Sequence, residues 1–371
     1  MKLLVLSSSP LIKKGNNYFA YSPYVKELEL WQKYCNEIAF TCPIWEEDNG
    51  LLISEIPFAI NKLYETKGFN IKTFRSLLKA IQYSFLNFYL IFKSMIWADH
   101  IHLRCPGNIG LMGCLVQILF PNKIKTAKYA GNWDPNAKQP LSYRIQKWIL
   151  KNTFLTKNIQ VLVYGEWNGS SKNIKSFFTA SYSEKDKIEV TQKILTGKIK
   201  FLFVGTLSIG KRPLYAVQLI EKLKKLNYDV QLSMFGEGNE RNKLEKYINE
   251  HNLNDFIFLK GNQNQEEIKS AYQENHFVVL SSKSEGWPKV IAEGMFWGCL
   301  PISSRVSCVP SMLDNGNRGL LLDMNLEKDI QQIVLQLNDN VSYIDKVAKA
   351  MQWSRYFTLD LFENEIKILL K

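Results

Sequence analysis

Phe277-Val278-Val279-Leu280-Ser281-Ser282-Lys283-Ser284-Glu285-Gly286-Trp287-Pro288-Lys289-Val290-Ile291-Ala292-Glu293-Gly294 passes from an apolar run through a polar loop into a helical pattern. The apolar run reads as a buried strand. Pro288 suits the first turn of the helix that follows, because its missing N–H would be unpaired there and its φ is already helical. The helix is therefore placed from Pro288 to Trp297. With 3.6 residues per turn, Lys289 and Glu293 share a face. Glu285 then stands at the strand's end and Glu293 two turns into the helix, where both could reach one polar ligand. Free N–H groups at the helix start favour an anion. Ligands of open α/β sheets bind at the carboxyl ends of strands. A molecule with hydroxyls at both ends and phosphate between fits such a place, and a nucleotide sugar has that form. The bland alternative is a solvated helix face that carries two glutamates.

Working outward, apolar runs alternate with helical patterns along the whole chain. In the first half, strands are expected near Leu3 to Ser7, Glu37 to Thr41, His100 to Arg104, Thr126 to Ala130 and Gln160 to Tyr164. Helices fall between them, near Pro23 to Tyr34, Thr73 to Trp97, Gly110 to Phe120 and Leu141 to Asn152. A second series runs from Lys200 to Ser303, with strands at Lys200 to Val204, Val230 to Phe235, Phe256 to Leu259, Phe277 to Ser281 and Leu300 to Ser303. Such alternation calls for parallel sheets covered by helices, an α/β architecture. Ser181 to Glu189 offers few residues able to enter a core and reads as a connector. The expected domains are 1–185 and 196–350, with a terminal helix over 351–371 packing back across the seam.

A chain of 371 residues with 46% hydrophobic content can build two cores. Nothing at Met1 to Ser9 reads as an export signal; the run is better taken as a first buried strand, and the cytoplasm is the expected compartment. Six cysteines occur without Cys-x-x-Cys or Cys/His spacing. Zinc and thioredoxin-type readings lack their minimal pattern, and free thiols in a reducing compartment are expected.

Of the net charge of +12, +11 sits in the first half, where residues 1–196 carry 25 Lys+Arg against 14 Asp+Glu, and +1 in the remainder, with 22 against 21. No nucleic-acid-binding signature accompanies it, so an anionic membrane surface or a phosphate-bearing acceptor is the more economical partner. Thr73 to Trp97 is rich in large apolar residues with Lys72, Arg75, Lys79 and Lys93 interspersed. Gln82, Asn87 and Lys93 interrupt it too often for a membrane span, which leaves a buried helix or an interfacial one.

Four motifs in the second half, in order, resemble the family 4 glycosyltransferases of the GT-B fold. Phe203-Val204-Gly205-Thr206-Leu207-Ser208-Ile209-Gly210-Lys211 is similar to that family's opening strand and phosphate loop, and Phe235-Gly236-Glu237-Gly238 to its second glycine turn. Glu285 through Glu293 resembles its Glu-x(7)-Glu signature, and Gly319-Leu320-Leu321-Leu322 its closing segment. The resemblance implies two Rossmann-like domains facing across a cleft, with retention at the anomeric carbon and no metal or other cofactor.

By that resemblance Lys211 would neutralise the departing diphosphate, while Arg212 would replace the arginine that relatives carry where this chain has Thr206. Glu293 would take the ribose hydroxyls and Glu285 the transferred sugar. Gly286 would admit the donor close to the backbone, with Trp287, Pro288 and Lys289 completing that wall; Gly205 and Gly236 would pack near the nucleotide or simply serve turns. Gly15, with Asn16, matches the loop near the donor phosphates. In the first half His100 and His102 are read as alternating faces of a strand, so that only one looks into the cleft, with His102 favoured over a merely buried ring. Where relatives have a histidine after Tyr129, this chain has Asn132 and Asp134, one as donor to the acceptor or the other as base.

The reading is a retaining, nucleotide-sugar-dependent hexosyltransferase acting on a glycan or lipid-linked acceptor in cell-surface polysaccharide synthesis. It would lie in the cytoplasm or peripherally at the inner membrane face, without nucleic acid as a partner. The rivals are a non-catalytic GT-B partner subunit and a GT-B epimerase or phosphorylase.

Overall fold

A computed structural model of the chain describes residues 1–68, 74–167 and 169–370. Lys72 and Thr73 lie outside the described residues, as do the side chains of Arg75, Leu77, Leu78, Lys79 and Ile81. The chain divides into two compact units, Met1–Phe177 with Glu363–Lys371, and Phe178–Phe362.

The second unit holds a six-stranded parallel sheet in the spatial order Ile257–Gly261, Val230–Phe235, Ile199–Val204, Phe277–Leu280, Leu300–Ser304, Leu320–Leu322. This is the Rossmann order, and its direction of winding reverses between Ile199–Val204 and Phe277–Leu280. Strands covered on both faces need continuous apolar runs, and Phe277–Leu280 is buried at every position. The rings of Phe201 and Phe277 stack at 4.9 Å across the two central strands. Each such buried ring contributes roughly 1.5–3 kcal/mol.

Helix Pro213–Lys225 illustrates the local code. Pro213 opens it, Ala216, Val217, Ile220 and Leu223 form its buried stripe, and Lys222, Lys224 and Lys225 close it where cations favour the helix dipole.

The first unit has a seven-stranded parallel sheet ordered Ile174–Phe177, Ile159–Tyr164, Ile124–Tyr129, His100–Cys105, Lys2–Leu6, Glu37–Cys42, Lys62–Glu65. Beside it lies a small sheet of Ile44–Trp45, Leu11–Lys14, Asn17–Tyr21 and Ile53–Glu55. The two edge strands of the large sheet and the whole small sheet are absent from the sequence reading. They are short and half exposed, so they lack the apolar run that marks a central strand.

The division falls at Phe177/Phe178, ahead of the expected connector. Ser181 to Glu189 belongs to the second unit because Tyr182 is buried there, its ring 4.8 Å from Phe296 and 5.2 Å from Trp297. The terminal helix Leu359–Leu369 divides as well: Phe362 packs edge-on against Phe178 in the second unit, while Glu363 in the first accepts from Lys33 and from Tyr34 at 2.8 and 2.9 Å.

Candidate functional site

The carboxyl ends of Ile199–Val204 and Phe277–Leu280, where the winding reverses, carry the loops that hold Lys211 and Glu285. Lys211 Nζ donates to Glu285 Oε1 at 2.6 Å, with the carboxylate largely buried and the ammonium about one-third exposed (10% and 30%). The turn before helix Pro213–Lys225 makes this contact possible. Arg212 adopts a left-handed backbone (φ 50°, ψ 52°), a conformation that costs a non-glycine residue about 1 kcal/mol or more. Ser281 holds it: the Ser281 hydroxyl donates to the carbonyls of Lys211 and Arg212 at 3.1 and 2.8 Å, and Lys283 N–H donates to Gly210 O at 2.8 Å. Ser281 belongs to none of the sequence motifs, its only signal being its place one residue past the apolar run Phe277–Leu280.

Gly205 and Gly236 meet each other. A Cβ on Gly236 would lie 2.1 Å from Gly205 O, and φ there is +136°. The glycine is therefore demanded by the close approach of two strand ends, which Gly205 N–H to Phe235 O (2.9 Å) joins, while Gly236 N–H to Gly261 O (2.8 Å) ties the second of them to strand Ile257–Gly261. Thr206, where the resemblance leads one to expect an arginine, is exposed on this rim.

Glu293 has partners of its own. Ser181 Oγ donates to its Oε1 at 2.5 Å and Tyr272 OH to its Oε2 at 3.1 Å. Lys289 lines the same small cavity as Glu293, Ser181 and Tyr182, as their helical spacing requires. The carboxylate of Glu293 in turn helps burial push the Tyr272 hydroxyl well above its ordinary pKa.

The helix runs Lys289–Phe296, with Pro288 as its cap (φ −75°, ψ 90°) instead of its first residue; Pro288 O accepts from Ile291 N–H at 3.0 Å. Gly286 O accepts from Ser307 Oγ and Cys308 Sγ at 3.1 and 3.3 Å. The Trp287 ring packs against Trp353 and Phe357, 6.0 and 5.6 Å away, which anchors the loop to helix Asn340–Tyr356.

In the first unit, residues two apart on a strand point to the same face, which corrects the expectation that His100 and His102 alternate. Both rings are buried and both bond the one Thr126 hydroxyl, His100 Nε2 at 2.9 Å and His102 Nδ1 at 2.8 Å. His102 also lies 4.2 Å from the Trp31 ring. Burial lowers the pKa of His100 to about 4 and that of His102 well below the ordinary imidazole value, where neighbouring Arg104 adds to the effect. A ring enclosed in this way is a core histidine and presents nothing to an acceptor.

Farther along the same face, Glu27 accepts from Arg104 Nη1 at 2.8 Å and Lys128 Nζ at 2.7 Å, all three largely buried. These cations hold its carboxyl well below the usual range against the opposing cost of burial. Asn132 and Asp134 shape their own loop. Asn132 Oδ1 accepts from Asp134 N–H at 2.9 Å, and Asp134 Oδ1 accepts from Asn136 N–H at 2.8 Å. Gly15, at φ +61°, turns the tip of the Leu11–Lys14/Asn17–Tyr21 hairpin with open space where a Cβ would be. The loop directly after the first strand packs elsewhere, its Ser8 Oγ accepting from Ile109 N–H at 3.2 Å. Among the described residues no three His, Cys, Asp or Glu side chains come together to hold a metal ion.

Residues 184–352, nearly all of the second unit, match the family model described as glycosyl transferases group 1. Over 122 residues, 33% of this chain, the sequence is 30% identical to an uncharacterised glycosyltransferase of Methanocaldococcus jannaschii. Over 169 residues, 45% of the chain, it is 24% identical to the poly(glycerol-phosphate) alpha-glucosyltransferase of Bacillus subtilis. The matches span 34% and 25% of those relatives' own lengths. In fold, the whole chain aligns with 98% of the Anabaena protein HepE, solved in complex with UDP and glucose, at a TM-score of 0.69 and 13% identity. The fold is GT-B, with parallel sheets in two Rossmann-like units.

Proposed function

We propose that this chain, with a group 1 glycosyl transferase domain over residues 184–352, is a family 4 enzyme that transfers a sugar from a nucleotide-sugar donor with retention and without a metal ion. One observation carries the reading: Lys211 and Glu285 meet at 2.6 Å where the second sheet reverses its winding, the place at which such sheets bind ligands. A nucleoside diphosphate gains negative charge as it leaves. The Lys211 ammonium, exchanging Glu285 for phosphate oxygens, offsets that charge in the transition state more than in the ground state. Glu285, freed of its partner, accepts a hydroxyl of the transferred sugar. The amide end of Lys289–Phe296 adds its dipole. Glu293 binds the ribose by exchanging Ser181 or Tyr272 for a ribose hydroxyl, which keeps its carboxylate hydrogen-bonded throughout. Arg212, its backbone clamped by Ser281, supplies the second cation that Thr206 does not.

The acceptor in this reading is a glycan or lipid-linked precursor of a cell-surface polymer. The basic first half and the likeness to the poly(glycerol-phosphate) glucosyltransferase support it. A second reading, a non-catalytic partner subunit, draws on Asn132 and Asp134, whose Oδ1 atoms accept backbone N–H groups of their own turn.

A thermal-shift panel of UDP, GDP and ADP sugars, followed by product analysis with each stabilising donor, separates the two. Stabilisation with release of the free nucleotide supports the enzyme. Stabilisation without turnover on any glycan or lipid-linked acceptor favours the subunit, and no stabilisation by any donor sinks both.

A further inference from the structure

Three helices of the first unit, Phe74–Trp97, Asn108–Val116 and Leu141–Lys151, lie side by side, the middle one packed on both neighbours. Their inner faces are ordinary core, with Ile91, Met95, Cys114, Ile149 and Leu150 buried. A surface helix normally turns polar residues outward; these turn large apolar ones outward as well. On the first helix Phe85, Tyr89, Phe92 and Ile96 recur at helical spacing and are all exposed, Phe85 at 74% and Ile96 at 56%. The middle helix and the single turn that extends it expose Leu115 and Leu119, beside Phe120, whose ring meets Phe92 at 5.3 Å. The third exposes Leu141, Ile145 and Trp148, the last at 62%. Apolar side chains shown on three adjacent elements mark an interaction surface.

Charge decides what covers it. Residues 66–165 contain 14 Lys and Arg and only two acids, Asp99 and Asp134, and none of the three helices holds an acidic residue. Lys93, Arg144 and Lys157 are exposed around the apolar side chains. A second copy would bring the same cations to the contact and be repelled, whereas an anionic bilayer complements them. Tyr89 and Trp148 have the amphipathic rings that settle at the headgroup level. Among the described residues no helix is long and apolar enough to cross a membrane, so the contact is one of lying on the surface.

We propose that this three-helix face docks the first unit on an anionic lipid surface. The inference rests on the acceptor side of the proposed function for its purpose, and it extends to three helices a contact that the sequence reading placed on one. The phosphate source it commits to is the lipid headgroup of a bilayer.

The test is co-sedimentation of the full chain with phosphatidylglycerol/phosphatidylcholine vesicles and with phosphatidylcholine alone. Binding to the anionic vesicles, weakened by high salt, is expected, with little to the neutral ones. The variants Phe85→Ser/Trp148→Ser and Lys93→Glu/Arg144→Glu alter exposed side chains and should unfold at the wild-type temperature while binding about tenfold less. Three results would overturn the proposal: no binding to anionic vesicles, equal binding to both, or wild-type binding by the variants. So would a dimer, seen by light scattering, that the same substitutions dissolve. Donor-induced thermal shifts are read on the same samples. Loss of those shifts with vesicle binding intact defeats the glycosyltransferase reading and leaves the docking face standing; the reverse result does the opposite.

Discussion

Lys211 Nζ and Glu285 Oε1, 74 residues apart in sequence, form a 2.6 Å ion pair between the loops that follow the two central strands of the second sheet. The contact joins the basic end of one motif to the acidic start of another, and Ser281 fixes the turn that makes it. In the proposed reaction the ammonium has two successive anionic partners, a carboxylate and then a diphosphate. Lys211→Ala should lower kcat/KM for the responsive donor about 10²–10³-fold, the cost of removing one preorganised donor from a developing anion. Lys211→Arg should recover part of it. Steady-state nucleotide release measures both, and a Lys211→Ala enzyme with unchanged kcat/KM would remove this side chain from the mechanism.

Gly236→Ala places a methyl 2.1 Å from Gly205 O at a φ of +136° and should destabilise the chain by about 3 kcal/mol. The nearest atom to a Cβ on Gly210 is Ser208 Oγ at 3.9 Å, so Gly210→Ala should stay within about 0.5 kcal/mol of wild type. Urea unfolding of the two variants side by side makes the comparison, and equal effects would show that the Gly205–Gly236 approach is not what requires glycine.

Glu27 carries one negative charge between two largely buried cations, Arg104 and Lys128. Glu27→Ala removes the carboxylate that both cations contact and should cost about 3–5 kcal/mol, more than the pair is worth as a net attraction. Denaturant midpoints report it; a loss below about 1 kcal/mol would mean that water reaches the cations as it does at a surface.

Acid should destabilise the chain before its carboxylates titrate. His100 has its pKa lowered to about 4 by burial, and His102 is lowered in the same direction, against 6.5 for the free ring. Between pH 6.5 and 4 the unfolded chain therefore binds more protons than the folded one, so stability falls as pH falls, by about 1.4 kcal/mol per pH unit for each histidine once the free ring is largely protonated. His276, lowered to about 4 chiefly by burial, adds to the loss in the second unit. Urea midpoints measured across this range should drop steadily, and His102→Gln should flatten the slope. A stability constant from neutral pH down to 4.5 would contradict the burial of these rings.

The sequence by itself determined what depends on near neighbours along the chain. Apolar runs such as Leu3 to Leu6 and Phe277–Leu280 placed central strands, and Gly236 marks a strand end because a Cβ there would lie 2.1 Å from Gly205 O. The Leu11–Lys14 and Asn17–Tyr21 hairpin was equally legible in its Gly15-Asn16 turn and was passed over for want of a long apolar run. Only the tertiary structure decided which charges meet. Glu27 lies 101 residues from Lys128, and Glu293 lies 112 from Ser181. No local pattern encodes such partners, since pairing over that distance follows from how strands are ordered in a sheet and which loops their carboxyl ends bring together. The same holds for the outer faces of the three helices: periodicity shows that a helix has an apolar side, but only packing shows that it has two and that one of them is left bare.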